Sequence, residues 1–383
     1  MPRLDLMREC AVVRSPRVKQ VEGMFNIAPA RRSRETWAVN LPLEERDWNI
    51  GLIVGPSGSG KSTIAREMFD AAVFSGFDWP QGKSLLDGFP KAASIKDITE
   101  ILSSVGFSSP PLWLRPFRVL STGQQMRVNV ARLLIENLDL SVMDEFTSVV
   151  DRTVAQIGSA AIAKTVRWRK QKFIAVTCHY DVADWLQPDW VYQSHTAEFL
   201  WRFPGRRPEI DLEINRVHRA AWELFKSYHY LDAALNKSAR CFCAFWRDVP
   251  VAFSAVLHFS HPSGRNIKRE HRTVCLPDYQ GVGIGQALSA HVGAMCRGMK
   301  CRFLSQTSHP IMIRSRAKSA DWRMIAKPNM TTPTMGSDLT KHETKGHALR
   351  LRATFEYVGQ AMSPDLAELL WSGGGPVGDP AGA

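Results

Sequence analysis

Short apolar runs recur in the first half of the chain and predict the buried strands of an α/β sheet. They lie at residues 50–54, 140–143 and 173–177. The first run leads into a glycine-rich loop and then into a helical pattern over residues 62–74. A second helical pattern follows residue 121. This alternation of apolar strands and helices is typical of a mostly parallel sheet.

The second half has a different pattern and predicts a mixed α+β domain. Residues 217–230 predict an amphipathic helix. Residues 241–246 and 251–257 predict two strands joined by a turn, and residues 273–276 and 302–304 predict two more. Between the last two, a glycine-rich loop leads into a helix that ends near Cys296.

Length and composition limit the class of protein. The 383 residues are 44% hydrophobic, which favours two folded domains over a disordered chain. No apolar run reaches the roughly 18 residues of a membrane span, and the first 30 residues lack a secretory signal pattern, so we expect a cytoplasmic protein without a membrane partner. The seven cysteines include no C-x-x-C pair, and we expect Cys241 and Cys243 to pack in a core rather than bind metal.

The positive charge is concentrated in the second half. Residues 1–205 carry +3, residues 206–350 carry +12 and residues 351–383 carry −3. The change coincides with a Pro/Gly/Arg segment at residues 203–208, where we place a domain boundary. A basic domain favours a nucleic-acid partner, although a solvated basic surface is the alternative. The predicted organisation is a 1–34 extension, a 35–205 domain, a 206–360 domain and a disordered 361–383 tail.

The strongest motif follows the first apolar run. Residues 55–63 read GPSGSGKST and match G-x-x-x-x-G-K-[ST], between a predicted strand and a predicted helix. In such a loop the backbone N–H groups surround phosphates, the lysine reaches the terminal phosphates and the following hydroxyl ligates Mg²⁺. We therefore predict an ATP site that uses Gly55, Ser57, Gly58, Gly60, Lys61, Ser62 and Thr63.

Three further motifs narrow the class of phosphate-binding protein. Residues 120–125 read LSTGQQ and residues 140–145 read LSVMDE. Residues 173–179 predict a further strand that ends in His179. With the phosphate loop and Asp151, their order resembles that of the ABC-type ATPases over residues 35–200. Thr122 stands where the family usually has glycine.

The resemblance implies a role for each motif. Asp144 would hold Mg²⁺ with Ser62, Glu145 would polarise the attacking water, and His179 would sense the γ-phosphate. The signature residues Ser121, Gly123 and Gln124 act in the family on the nucleotide of the opposite subunit, which implies an ATP-sandwiched homodimer.

Two further assignments stay open. Trp37 lies 24 residues before Lys61, a spacing that suits the family's adenine-stacking aromatic, with a core tryptophan as the alternative. Gln81 is the nearest candidate for the family's Q-loop glutamine.

The glycine-rich loop of the second half resembles that of another family. Residues 280–285 read QGVGIG, which fails the dinucleotide pattern G-x-G-x-x-G because position 286 is glutamine. The loop fits Q/R-x-x-G-x-G/A, and with its strand and helix it resembles the pyrophosphate loop of GNAT acyltransferases. The resemblance implies that acetyl-CoA or another acyl-CoA binds at Gln280, Gly281, Gly283 and Gly285.

The sequence identifies the catalytic residues of acyl transfer less clearly than those of the ATP site. Tyr228 and His229 end the predicted helix, and His309 follows the strand after the loop, so all three are candidate catalytic groups. The tyrosine that the family uses as a proton donor is missing from residues 311–319. A fainter similarity to the Mom-type DNA-modifying members of the GNAT fold rests on the same two regions.

The sequence thus predicts an α/β P-loop NTPase domain of the ABC type, followed by a mixed α+β GNAT-like acyltransferase domain. The leading hypothesis is an ATP-dependent acyltransferase that acts on a nucleic acid. One alternative is an ATP-gated acetyltransferase for a protein or a small molecule. Another is an ATP-switched binding module whose acyltransferase site is inactive.

Overall fold

The computed structural model describes residues 4–137, 139–202, 205, 209–229, 234–260, 266–331 and 350–373. Contacts divide the chain into two compact units, and the ranges below refer to the described residues within them. Unit 1 comprises Met1–Gly76, Glu136–Val150 and Val166–Arg207; unit 2 comprises Phe77–Ile135, Asp151–Thr165 and Pro208–Ala383.

Fourteen strands are present in the described part of the chain. In chain order they are β1 (Leu4–Ala11), β2 (Arg32–Val39), β3 (Ile50–Val54), β4 (Leu140–Met143), β5 (Lys172–Thr177), β6 (Trp190–Gln193), β7 (Glu198–Trp201), β8 (Glu213–Val217), β9 (Arg240–Trp246), β10 (Val249–His258), β11 (Ile267–Cys275), β12 (Arg302–Thr307), β13 (Trp322–Thr331) and β14 (Arg350–Tyr357).

Ten α-helices lie in the same described ranges. They are α1 (Pro16–Phe25), α2 (Lys61–Phe69), α3 (Ile95–Ser104), α4 (Pro110–Trp113), α5 (Thr122–Glu136), α6 (Arg152–Arg169), α7 (Val182–Leu186), α8 (Ile284–Gly298), α9 (Pro310–Lys318) and α10 (Pro364–Ser372). Short 3-10 turns include Arg219–Leu224 and Lys226–Tyr228.

Unit 1 is built on a five-stranded sheet in the order β4-β5-β3-β6-β7. The first four strands run parallel and β7 is antiparallel to β6. The predicted strands 50–54, 140–143 and 173–177 are therefore confirmed. Their apolar residues form one core with Trp190 and Tyr192, because a strand covered on both faces must be apolar throughout.

A two-stranded ribbon, β1 paired with β2, joins this core at one end through Leu6 and Val39. It differs from the predicted 1–34 extension, because β2 crosses residue 34 and pairs with β1 along its whole length. Beyond Leu6 the side chains of the ribbon are mostly exposed.

Unit 2 contains a seven-stranded sheet in the order β8-β9-β10-β11-β12-β14-β13. Within it only β11 and β12 are paired in parallel, and their pairing covers residues 267–269 and 302–304. Helix α8 packs on the sheet through Leu288 and Val292, which share a core with Phe242 and Phe303.

Two stretches between β3 and β5 belong to unit 2, although both strands belong to unit 1. Residues 77–135 and 151–165 belong to unit 2, and Ile157 of α6 is buried in the same core as Phe242. Each unit is therefore made of three chain segments, whereas the sequence predicted two domains that meet at residues 205 and 206. The reason is that these helices bury apolar surface against the C-terminal sheet. Residues 203, 204 and 206–208 of the predicted linker lie outside the described residues.

Two further predictions are corrected. Residues 217–230 do not form one helix: Val217 ends β8, where it pairs with Cys241, and only short 3-10 turns follow. Tyr230 lies outside the described residues. The predicted disordered tail contains α10, which has Pro364 in its first turn and Gly373 in a left-handed C-cap, a combination that favours helix start and stop. Residues 374–383 lie outside the described residues.

Candidate functional site

The phosphate loop lies between β3 and α2, as the sequence predicted. Gly58 and Gly60 have φ angles of 80° and 82°, which are accessible to glycine and strained for other residues. Helix α2 begins directly at Lys61, so the N–H groups of its first turn have no partner within the helix. Ser62 and Thr63 lie in this turn. The loop therefore presents N–H donors of the kind that bind phosphate.

Side chains around the loop leave no room for anything but glycine at two positions. A Cβ atom at Gly55 would lie 2.2 Å from Ser194 Oγ, and one at Gly60 would lie 2.4 Å from Trp37 Nε1. Trp37 thus packs directly on the phosphate loop. Lys61 is buried and donates from Nζ to the Pro56 carbonyl oxygen at 2.8 Å. Ser57 and Gly58 are exposed at the tip of the loop.

The two carboxylates follow β4, which is separated from β3 only by β5. Because the three strands are parallel and in register, Val54, Met143 and Thr177 all end at the same sheet edge. Asp144 Oδ1 accepts from the Glu145 backbone N–H at 2.9 Å. Glu145 is exposed and has a φ of 54°, a strained backbone conformation that often marks functional residues. The phosphate loop, Asp144, Glu145 and His179 therefore all follow strands that end at this edge.

These residues suit Mg²⁺ only in combination with phosphate oxygens. No cluster of three or more His, Cys, Asp or Glu side chains with metal-binding geometry occurs within the described ranges. Ser62 and Asp144 are the residues that could supply two oxygen ligands, and Mg²⁺ in phosphate sites commonly takes its other ligands from phosphate and water.

The signature segment forms the N-terminal cap of α5 in unit 2. The Ser121 N–H donates to Gln124 Oε1 at 3.1 Å, and the Gln124 N–H donates to Ser121 Oγ at 3.4 Å. This reciprocal pair is a capping box. Gly123 is buried in the first turn. Gln81 is exposed in a turn. Asp151 caps α6 by accepting from the Thr153 and Val154 N–H groups.

The predicted pyrophosphate loop of the second half is divided between two environments. Gln280 Oε1 accepts from the N–H and the Oγ of Ser108, at 2.7 and 2.8 Å, and its Nε2 donates to the Cys275 carbonyl oxygen at 2.8 Å. A Cβ atom at Gly281 would lie 2.8 Å from the Gly106 Cα. Both residues therefore have partners inside the protein. Gly283 has a φ of 99° and open space around it, and Gly285 is in the first turn of α8.

A pocket of about 260 Å³ opens beside Gly283, between α8 and α9. Its lining residues are Gly283, Gln286, Ala287, Ala290, Ser315, Arg316, Ser319, Asp321 and Trp322.

A buried ion pair that the sequence analysis missed adjoins this pocket. Arg316 Nη2 lies 3.1 Å from Glu270 Oε2, and both side chains are almost completely buried. The hydroxyls of Thr273, Ser289 and Ser305 also donate to Glu270. Burial alone would raise the pKa of Glu270, but Arg316 and these donors lower it below its ordinary value. No sequence signal marks the pair, because both residues lie in strongly basic segments typical of exposed surface.

His309 and Tyr228 approach the same segment of unit 2. His309 Nε2 lies 3.2 Å from the Ser108 carbonyl oxygen, and Ser109 Oγ donates to the Tyr228 carbonyl oxygen at 3.2 Å. Burial lowers the pKa of His309, which favours the neutral imidazole. With the proton on Nε2, the buried Nδ1 keeps its lone pair and has no hydrogen-bond partner within the described residues.

His229 lies in a different environment. It is buried with its ring at 5.6 Å from that of Trp222. The structure thus brings His309 and the Tyr228 backbone to one segment and places His229 in an aromatic cluster.

The cysteines fit the predicted packing role. Burial raises the pKa of Cys241 to about 11 and that of Cys243 to about 12. Both thiols therefore stay protonated near neutral pH, which makes them poor nucleophiles and metal ligands. In the part of the chain that the structure describes, no helix is both long and apolar enough to span a bilayer.

Comparison with known proteins identifies relatives of the ATP-binding type. An uncharacterised ABC transporter ATP-binding protein of Methanocaldococcus jannaschii is 27% identical over 51% of this chain and 84% of its own length. The energy-coupling factor transporter ATP-binding protein EcfA1 of Geobacillus kaustophilus is 25% identical over 51% of this chain and 85% of its own length. No family model matches the chain.

Among solved structures, the dimeric structure of a bacterial ABC transporter cassette is similar, with a TM-score of 0.34 and 20% identity over 42% of this chain and 89% of that one. The sequence relatives support an ABC-type P-loop cassette with ATP-binding and ATPase function in this chain. Their names concern ATP binding and transport, and the acyltransferase interpretation of the second half remains a prediction.

The buried pair yields a stability prediction. Changing Glu270→Gln leaves the Arg316 charge buried without a counter-ion, and we expect a loss of about 3–5 kcal/mol in the free energy of unfolding. Urea unfolding at pH 7 measures this loss. The matched control is Glu100→Gln, which breaks the partly exposed pair with Arg314 and should cost about 1 kcal/mol or less. Equal losses in the two variants would contradict the assignment.

The pair also has a defined pH dependence. Because the folded pKa of Glu270 lies below its unfolded value, the pair stabilises the fold fully above an unfolded carboxyl pKa of about 4.3. The stability difference between wild type and Glu270→Gln should shrink as the pH falls below that value through the folded pKa.

Proposed function

We propose that this chain binds and hydrolyses ATP between two copies of its ABC-type cassette, and that the nucleotide state controls an acyl-transfer site in its second half. The observation that carries the first part is the shared sheet edge. The phosphate loop, Asp144, Glu145 and His179 follow three neighbouring parallel strands, and the ends of these strands lie at that edge.

The residues of this edge have distinct roles in the proposal. Lys61 and the first-turn N–H groups of α2 would hold the phosphates, and Ser62 and Asp144 would hold Mg²⁺, which supplies charge neutralisation to the phosphate oxygens. Glu145 accepts a proton from the attacking water, and His179 contacts the γ-phosphate. Trp37, which packs on Gly60, would stack on the adenine. Ser121, Gly123 and Gln124 of a second copy would complete the site, which makes the active form a homodimer.

The acyl-transfer part rests on the resemblance of residues 280–285 and is supported by the form of the sheet. Strands β11 and β12 pair only over their first residues, and the turn and glycine loop at residues 276–283 connect β11 to α8. The pocket at Gly283 combines the N-terminus of a long helix with polar and charged side chains, including Arg316 and Asp321, and the helix N-terminus suits an anionic group. Gln280 and Gly281 already have partners, so acetyl-CoA or another acyl-CoA would be held by the Gly283–Gly285 side of the loop.

His309 is the best candidate for the base of acyl transfer. Its neutral form and partnerless Nδ1 suit it to take a proton from an acceptor nucleophile. Tyr228 and His229 remain candidates from the sequence, although His229 packs on Trp222. A protein or small-molecule acceptor is the alternative to a nucleic acid, and a binding module without acyl transfer is the third possibility.

The ATPase assignment predicts the behaviour of one variant. Glu145→Gln should still bind ATP but hydrolyse it at least about 100-fold more slowly, because the water loses its proton acceptor. It should also shift toward the dimer in the presence of Mg²⁺-ATP. Phosphate release and light scattering after gel filtration measure the two effects. Lys61→Ala, which should not bind ATP, is the control. Hydrolysis at the wild-type rate in Glu145→Gln would show that another group is the base.

The pocket predicts acetyl-CoA binding that a bulky side chain blocks. Ala287 is exposed and lines the pocket, so Ala287→Trp should abolish binding without disturbing a core. Isothermal calorimetry with acetyl-CoA measures this, and Ala92→Trp, at an exposed turn position, is the matched control. Absence of binding to the wild-type protein would remove acyl-CoA from the proposal and favour the binding module. Where binding occurs, labelled acetyl-CoA with nucleic-acid, protein or small-molecule pools identifies the acceptor class.

The basic second half predicts salt-sensitive nucleic-acid binding. DNA or RNA affinity should fall steeply between 50 and 200 mM salt, by about 10³-fold or more for six or more phosphate contacts. Mobility shifts over this range measure the slope. Replacing the exposed Lys237 and Lys318 by Gln should reduce the slope, whereas the same change at the exposed Lys19 and Lys170 of unit 1 should not. Binding without salt dependence, or no binding, would exclude a nucleic-acid substrate.

A further inference from the structure

A wholly buried arginine of the signature helix contacts the loop that precedes α8. Arg127 lies on α5, one turn after the signature residues, and its side chain has no exposed surface. Its guanidinium donates to the carbonyl oxygens of Gly106 at 3.2 Å, Pro277 at 2.6 Å and Asp278 at 2.9 Å. A buried charge is costly unless hydrogen-bond partners satisfy it, and here three backbone carbonyl oxygens do so. Arg127 therefore ties the signature helix to the turn at residues 277–280.

The same turn is held at two more points. Ser108 binds the Gln280 side chain through two hydrogen bonds. Gly106 and Gly281 are in close backbone contact, since a Cβ atom at Gly281 would lie 2.8 Å from the Gly106 Cα. With no space at this junction, a displacement of α5 must be accompanied by a displacement of the turn. Because the turn leads directly to Gly283, the displacement reaches the start of α8 and the pocket.

Two buried polar atoms at this junction have no partner within the described residues. One is Arg127 Nε, a donor, and the other is Asp278 Oδ1, an acceptor. Such atoms are rare in folded proteins and call for an explanation. The two atoms lie on opposite sides of one junction, and one is a donor and the other an acceptor. They would bind each other in a second arrangement, in which the guanidinium pairs with the Asp278 carboxylate. A junction with two discrete arrangements is what long-range coupling requires.

We propose that Arg127 and Asp278 form a two-state switch that transmits the ATP state of the signature helix to the turn before α8. In one state the guanidinium binds the three carbonyl oxygens; in the other it pairs with the Asp278 side chain and moves the 277–281 turn. The switch rests on ATP binding by the cassette and does not depend on acyl transfer. Arg127 is a positioning residue, since it touches neither nucleotide nor pocket ligand.

Hydrogen–deuterium exchange of the full chain tests the switch. In the Glu145→Gln background, which should retain ATP, addition of Mg²⁺-ATP should change the exchange rate of amides 276–290 by about threefold or more. Asp278→Asn keeps the backbone carbonyl and removes the carboxylate charge, so it should abolish this response while ATP still binds. Arg127→Met should do the same. A full response in Asp278→Asn would overturn the switch, because a purely structural clamp through the carbonyls would survive that change.

Two controls separate failure of the switch from failure of the cassette. Arg167→Met alters a partly buried arginine of unit 1, which binds Asp189 and the Gln187 carbonyl oxygen, and it should leave the response intact. Calorimetry with ATP on the same samples reports nucleotide binding directly. If ATP binds and amides 276–290 do not respond in the Glu145→Gln protein, the switch is wrong. If ATP does not bind, the cassette assignment fails first.

Discussion

The burial of the Arg127 guanidinium is the constraint around which unit 2 is arranged. A charge without contact with water needs acceptors in fixed positions, and here they come from two distant segments, Gly106 and the turn at Pro277 and Asp278. The glycine contact between residues 106 and 281 follows from the same closeness, because any side chain at either position would collide with backbone. These polar contacts add to the apolar packing that joins residues 77–135 and 151–165 to the rest of unit 2.

Unit 1 depends on a simpler constraint. A parallel sheet places the carboxyl ends of neighbouring strands at one edge. Three motifs that are far apart in the sequence therefore follow strands that end at the same edge. Glycine at positions 55 and 60 allows Ser194 and Trp37 to lie against the phosphate loop. The strained backbone of Glu145 directs a carboxylate to solvent at that edge. Each of these features favours phosphate chemistry over a purely structural role.

The second half combines a pocket with a buried ion pair, and the two have different consequences. The Glu270–Arg316 pair fixes β11, α8, β12 and α9 against one another through the hydroxyls of Ser289 and Ser305. Because Arg316 is paired with Glu270, the proposed anionic ligand would be bound mainly by the N-terminus of α8 rather than by this arginine.

The sequence by itself determined the apolar strands, the phosphate loop, the order of the cassette motifs and the glycine start of α8, because these depend on local periodicity and on spacing within one loop. Only the tertiary structure decided the environment of Gln280 and Gly281, the pairing of Glu270 with Arg316 and the contacts of Arg127. In each case the partners are far apart in the sequence; Ser108 and Gln280, for example, are 172 residues apart. Polar and charged residues of a type that usually lies on the surface are buried there by folding. Residues 217–230 show the same effect, since pairing of Val217 with Cys241 replaces the helix that the local pattern favours.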